Sequence, residues 1–439
     1  MSRSRYKWEV VGMLWLVCCF NYADRQSIFS VFPKLQAEFG LDAVQLGLIG
    51  SAFMWLYAFG SPLAGFVGDH LPRKKLILGG CLFWSGVTAL TGLCAKFWQF
   101  VAVRASVGLG EAFYFPSSVS LISDYHGRRT RSRALGLHQS SVYAGTILGG
   151  WLGAWFAERH GWRMGFYFFG GVGAVLALIL FRYLREPVRG AGEGAAATPV
   201  SATQAEPAAP ELIGAVQAPA PGAAEALRIV LSKPTAWLLM IVFLGANFVA
   251  AIFLTWTPFF LVDKFGFKLT AAGLSGTLFI HAASAVSAPL GGWLADRWAR
   301  RLAGGRMLVQ AVGLLAGAAF VGLVGLTANV RTLLLAMALF GFCKGLYDSN
   351  IWASLYDVIE PRARGTAAGI MNTIGWGGGA LGPVAVGLVT KYGRHARAID
   401  NMSEAIASGA IIYLLGGLLL LGIAFGRARR DLLPEHPLG

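Results

Sequence analysis

The chain has 439 residues, of which 56% are hydrophobic and only 13% charged, with a mean hydropathy of +0.58. Ordinary soluble domains carry charge on about a quarter of their residues, so this composition excludes a water-soluble enzyme. Uncharged runs such as Leu46 to Val67 and Ala405 to Phe425 match the roughly 20 residues that a helix needs to cross a bilayer core of about 30 Å, and the chain reads as an integral membrane protein.

Taken in chain order, apolar stretches bounded by charges or turn residues fall near 8–32, 45–68, 76–95, 97–123, 134–156 and 164–184, then near 234–261, 270–295, 307–328, 331–357, 365–390 and 407–426. These continuous runs do not resemble the short alternating strands of a membrane barrel, so the fold class is all-α with twelve transmembrane helices in two six-helix bundles. The first stretch carries Asp24 and Arg25 and has no small-residue cleavage site after a short apolar core, so it is expected to remain as a spanning helix rather than a removed leader. The first bundle covers residues 1–186. An Ala-, Pro- and Gly-rich segment, 187–233, lacks apolar periodicity and reads as a flexible linker. The second bundle covers 234–428, with a tail at 429–439. Cys18, Cys19, Cys81, Cys94 and Cys343 stand in apolar segments without metal-ligand spacing and read as packing residues.

The net charge of +15 would suggest nucleic acid in a soluble chain, but sorting by this topology places more than two basic residues on the side of the termini for each one opposite. The positive-inside rule then puts both termini and the linker in the cytoplasm, as expected of a multi-pass protein of a bacterial inner membrane. The cluster Arg128, Arg129, Arg131 and Arg133 lies in a short loop on that side and is expected to meet anionic lipid headgroups, not nucleic acid.

The halves repeat each other. Gly-Phe-Val-Gly-Asp-His-Leu-Pro-Arg-Lys-Lys at 65–75 is echoed by Gly-Trp-Leu-Ala-Asp-Arg-Trp-Ala-Arg-Arg at 292–301, which matches Asp69 with Asp296. Further on, one constant offset of 233 residues aligns Tyr114 with Tyr347, Asp124 with Asp357, Gly136 with Gly369, Gly145 with Gly378 and Gly149 with Gly382. A single offset recovering five identities marks a duplicated six-helix unit.

The loop motif from Gly65 and the segment Arg104-x-x-x-Gly108-x-Gly110-Glu111-Ala112 resemble the signatures of the major facilitator superfamily, over nearly the whole chain apart from the linker. Asn21-Tyr22-Ala23-Asp24-Arg25, and Glu111-Ala112 followed by Pro116, are similar to the anion:cation symporter family, which moves organic anions such as sugar acids with protons. Gly-Glu-Ala-x-Tyr equally resembles the spinster family, linked to export of lysolipids. The resemblance implies alternating access, with the first, fourth, seventh and tenth spans at the centre.

Charges inside a membrane are costly and usually face a cavity or a partner. Asp24, Arg25, Arg104, Glu111, Lys344 and Asp348 are three cations and three carboxylates, so a bound substrate carboxylate leaves one surplus negative charge. Its simplest remedy is a proton on Glu111 or Asp24, which makes Asp24, Glu111 and Arg104 the expected proton-coupling group. Arg25 is the expected anion contact, since its guanidinium forms a planar fork for a carboxylate. It would face the cavity while Asp24, about 100° around the helix, turns to Arg104 and Glu111; the competing reading is a static charge lock between the first and fourth spans. Lys344 and Asp348, four apart, can neutralise each other or, with Tyr347, line the cavity. Tyr22, Tyr57, His138, Gln139, Asn247, Trp256 and Asn372 complete the expected substrate lining, with Asn372 at a position that is Asn in the symporter family; His281 is a further polar residue in a span. Asp69 with Arg73 and Asp296 with Arg300 form the expected cytoplasmic gate.

Gly377-x-Gly379-x-x-Gly382 has dinucleotide-loop spacing but lies inside an apolar helix, and no phosphate-binding loop or nucleophile with a base is present. The glycine rows on the fifth and eleventh spans instead allow close helix approach and are expected where the halves pack and rock. No cofactor, metal or enzymatic activity is expected. The reading is a proton-coupled importer of a small organic anion, acting as a monomer. The alternatives are a spinster-like exporter of an amphiphile, an uncoupled facilitator, and a non-transporting sensor.

Overall fold

The computed structural model describes residues 3–126, 128–187 and 223–432, and regular structure among them is entirely helical. In the first half α1 (Arg3–Ser30) leads through a short α2 (Phe32–Phe39) to α3 (Ala43–His70) and α4 (Arg73–Thr91). The fourth span is two pieces, α5 (Phe97–Ala112) and α6 (Tyr114–Tyr125), followed by α7 (Arg128–Arg159) and α8 (Trp162–Tyr183). The end of the stretch read as linker forms a short helix, α9 (Ala223–Leu231), tied to the second half by an ion pair between Glu225 and Arg362; residues 188–222 lie outside the described ones. The second half comprises α10 (Pro234–Phe265), α11 (Leu269–Ala299), α12 (Gly305–Leu326), a tenth span split into α13 (Val330–Asp348) and α14 (Ile351–Val358), α15 (Arg364–Tyr392) and α16 (Ala398–Gly422). Twelve helical spans result. By length and composition alone, eight helical stretches among the described residues are apolar enough to cross a membrane. The other four spans, α1, α4, α5 with α6, and α7, all belong to the first half and include the helices with the buried charges.

The duplication extends to side-chain devices. Arg131 donates to the carbonyls of His126 (3.3 Å) and Ser123 (3.4 Å), and Arg364 donates to those of Ile359 (3.3 Å) and Tyr356 (2.9 Å); every member of the second set lies 233 residues after its counterpart. Each guanidinium satisfies carbonyls left orphaned at the end of a helix. Arg131 is thus a helix cap more than a headgroup contact. Arg73 pairs with Asp124 and Arg306 with Asp357, again at the same offset. Left-handed glycines, Gly40 (φ +63°) and Gly266 (φ +66°), end the helices leading out of each half's first span, a conformation that an L side chain resists.

Glycine decides which helices touch most closely. A Cβ added at Gly145 or Gly149 would overlap the backbone of Cys19 or Ala23 on α1, and one at Gly378 or Gly382 that of Leu244 or Phe248 on α10. These rows therefore lock the fifth span to the first and the eleventh to the seventh within each half, which corrects the expectation that they form the seam between halves. The seam uses other glycines: Gly47 against Pro383, Gly387 against Ala43, and Gly150 against Gly273. All lie toward the face opposite the termini. There Asp42 caps α3 by accepting from the Gln45 N–H at 2.8 Å and also accepts from Lys391 of α15 at 2.8 Å, while Glu158 of α7 accepts from the Thr270 N–H and hydroxyl at the start of α11. Toward the terminal face the halves part around a cavity of about 910 Å³, lined by Tyr57, Phe115 and Val119 on one side and Trp352, Gly369 and Asn372 on the other.

Candidate functional site

The site is built where α1, α3, α4 and α5 converge beside α15. Consecutive residues on α1 diverge around the helix, and the structure assigns them different partners from those expected. Arg25 pairs with Glu111 through Nε (3.0 Å) and Nη2 to the same carboxylate oxygen, whereas Asp24 accepts from the Thr88 hydroxyl of α4 at 3.1 Å. Arg104, two turns before Glu111 on α5, donates to the Arg25 carbonyl at 3.3 Å. The four charged residues are all buried and sum to zero, as a set removed from water must nearly do. Four rings line the Arg25 guanidinium: Tyr22 and Phe53, each 4.3 Å from its Cζ, Tyr57 at 5.3 Å and Trp376 at 5.5 Å. Phe53 also lies 5.3 Å from the Arg104 Cζ, so one ring serves two cations.

The cluster retains unused hydrogen-bonding capacity. Among the described residues Asp24 Oδ1, Glu111 Oε1, Arg104 Nε and Asn21 Nδ2 have no partner. Buried polar atoms are normally satisfied, so each carboxylate offers one oxygen to a proton, a water or a ligand. Trp376 comes from the second half, and its ring lies 4.5 Å from that of Tyr57. Tyr57 lines the large cavity and Trp376 a smaller one of about 140 Å³ at mid-membrane, with Asn247, His281 and Lys344. The two rings thus bring the linings of the two cavities into contact beside Arg25. Arg25 itself lines neither cavity, against the expectation that it faces one, because these rings and Phe53 cover its guanidinium.

Of the residues picked out in the sequence, Asp24, Arg25, Arg104, Glu111, Tyr22 and Tyr57 come together; Asn247 and Lys344 line the small cavity and Asn372 the large one. Lys344 and Asp348 form an ion pair. His138 is buried near the Tyr114 hydroxyl (3.4 Å) and lines neither cavity, because its side of α7 turns into the first half. Gln139 beside it is exposed. Trp256 is fully buried, donates to the Pro383 carbonyl (3.1 Å) and packs on Phe32, so it plugs the closed face instead of contacting the cavity. Tyr347 is likewise buried, packed against Gly313 of α12 inside its own half. At the terminal face, Asp296 pairs with Arg306 (3.0 Å) rather than Arg300, which is exposed; Arg73 pairs with Asp124, and the side chain of Asp69 lies outside the described residues, as do those of Arg128 and Arg129. Arg306 was findable, since it stands 233 residues after Arg73. Phe53, Thr88 and Trp376 were not: an aromatic or hydroxyl residue in an apolar helix carries no mark of what it touches.

Two pseudo-repeated six-helix bundles that close at one face, part at the other and meet over buried charge are the architecture of a membrane carrier. Residues 14–383 and 274–436 match the family model described as Major Facilitator Superfamily, and the chain belongs to that superfamily of transporters. Among curated proteins, "Probable anion transporter 4, chloroplastic" of Oryza sativa subsp. japonica is 28% identical over 93% of this chain and 67% of its own. The "D-galactonate transporter" of Escherichia coli O6:H1 is 27% identical over 94% and 96%, and the "Probable galactarate/D-glucarate transporter GudP" of Escherichia coli K12 is 26% identical over 96% and 94%. Among solved structures, a bacterial homologue of the human lysosomal transporter Spinster, inward-facing and occupied, superposes with a TM-score of 0.78 at 21% identity over 97% of each chain, which shows the shared fold.

Proposed function

We propose that this transporter imports a small organic anion, a sugar acid or another carboxylate, together with a proton. The observation that carries this reading is the Arg25–Glu111 pair. A substrate carboxylate and Glu111 compete for the same guanidinium fork, so a proton on Glu111 releases Arg25 to the substrate, and one proton with one anion leaves the cluster neutral. Asp24, one residue away and held by Thr88, is the next acceptor for that proton. The sugar acids named for several relatives support the substrate class. In this reading the terminal face is cytoplasmic, the protein is a multi-pass chain of a bacterial inner membrane, and the 910 Å³ cavity makes the structure inward-open.

The test is uptake into proteoliposomes under an imposed inward proton gradient, with a panel of sugar acids, other carboxylates and lysolipids. Gradient-dependent uptake of a carboxylate is expected. Lysolipid movement without response to any carboxylate would sink the reading in favour of amphiphile export.

A further inference from the structure

The small cavity has a second cation at its far end. Trp376 and Met54 bound it toward Arg25, while Lys344, His281 and Asn247 bound it within the second half. Trp376 is the ring that stands 5.5 Å from the Arg25 guanidinium; Arg25 does not itself line this cavity, so a molecule that touches both cations has to turn that ring aside. By the 233-residue offset Lys344 is the counterpart of Glu111. Each half therefore contributes one mid-membrane ion pair, of opposite polarity with respect to its central helix: Glu111 is held by Arg25, and Lys344 by Asp348. A substrate with one carboxylate uses only the first, and a cation maintained beside an otherwise largely apolar cavity costs desolvation without return. His281 adds a donor at the same end, and its Nδ1 has no partner among the described residues.

We infer that Lys344 and His281 form a second anion-binding pole, and that the preferred substrate is a small diacid held by one carboxylate at Arg25 and by the other at Lys344. The inference rests on the sugar-acid reading and names its subclass. Charge balance gives it a further consequence. Lys344 and Asp348 already cancel, so the second carboxylate calls for one more positive charge. The ionisable groups around His281 are Lys344 on α13, which is paired with Asp348, and Tyr143 on α7, whose ring lies 6.1 Å away. The Lys344 ammonium opposes a charge on His281, so it is the arriving second carboxylate that lets His281 take the proton, and a diacid then crosses with one proton more than a monoacid.

Galactarate and D-galactonate are a matched pair of probes, sharing a carbon skeleton and differing in a terminal carboxylate against a hydroxymethyl group. Equilibrium binding of both to the purified full chain is measured for the wild type and for Lys344→Met combined with Asp348→Asn, which removes the ion pair without stranding a buried charge. The wild type is expected to bind galactarate about tenfold more tightly, as one charge-assisted contact provides, and the double variant to lose that ratio. His281→Gln, which keeps a donor but cannot take the charge, is expected to flatten the pH dependence of galactarate binding. A wild type without preference, or a double variant that weakens both acids while keeping their ratio, overturns the second pole and leaves the sugar-acid reading standing. A wild type that binds neither acid overturns the second pole and the sugar-acid class, and uptake of another carboxylate in the proteoliposome panel then separates that result from failure of the organic-anion reading.

Discussion

At the scale of single residues, the proposed mechanism gives one guanidinium two competing partners. Arg25→Ala removes the proposed substrate contact and strands Glu111 as an unpaired buried carboxylate, which costs about 3–5 kcal/mol when ionised. The variant is therefore expected to lose both substrate binding and thermal stability. Adding Glu111→Gln should restore the melting temperature but not the binding, and a thermal-shift series with a binding measurement separates the two effects. Glu111→Gln alone is expected to keep binding and substrate exchange while its transport no longer follows the proton gradient. If exchange of the single variant remained as pH-dependent as that of the wild type, the coupling proton would belong elsewhere, Asp24 being the neighbour to replace next.

At the scale of elements, close packing and end-to-end contacts hold the helices in place. A Cβ at Gly149 would lie 2.5 Å from the Ala23 Cα, so Gly149→Val must push α7 off α1; a substantial loss of thermal stability, of the 1–3 kcal/mol usual for overpacking, is expected. Gly136 on the same helix has open space around it, and Gly136→Ala should leave the melting curve unchanged. The closed face depends on two helix-end contacts, Asp42 with Lys391 and Glu158 with Thr270. Hydrogen bonds from the Thr270 hydroxyl and N–H hold the Glu158 carboxyl below its ordinary range. At Asp42 burial pushes the other way, but the Lys391 ammonium and backbone donors outweigh it, with the same net lowering. Both groups thus bind protons more weakly when the face is shut. Closure is favoured above the ordinary carboxylate range and is lost as the pH on that side falls through the lowered values. Spin-label distances across this face should stay short at neutral pH and lengthen below about pH 4, with Glu158→Gln opening it in part at neutral pH.

At the scale of the whole molecule, the seam between halves is tight on one face and parted on the other, so a carrier working by alternating access has to separate Asp42 from Lys391. Cysteines at these two positions joined by a short bifunctional thiol reagent are expected to abolish transport while leaving substrate binding from the terminal face intact. Transport that survived complete cross-linking would show that the closed face need not open along this seam. Intact binding beside lost transport would place the substrate site on the terminal side of the seam, where the 910 Å³ cavity and Arg25 lie.

What the sequence determined by itself was whatever depends on local quantities. Continuous apolar stretches bounded by charges marked the spans because a helix must satisfy its own backbone in lipid, although length and composition alone pick out only eight of them. The constant offset of 233 residues betrayed the duplication because equivalent helices keep equivalent caps, as Arg131 and Arg364 do. The zero-sum set of buried charges was legible for a similar reason: ionisable residues inside apolar runs stand out by composition. Which charge meets which was decided only in three dimensions. Helical phase separates Asp24 from Arg25 by about 100°, but the positions of α4 and α5 choose Thr88 for the first and Glu111 for the second. The same holds for the glycine rows, which look alike whether they face the partner half or a neighbour within the same bundle, and for Trp256 and Trp376, identical in type, one plugging the closed face and the other roofing Arg25. Side-chain chemistry is written along the chain, whereas the direction it faces depends on how helices cross.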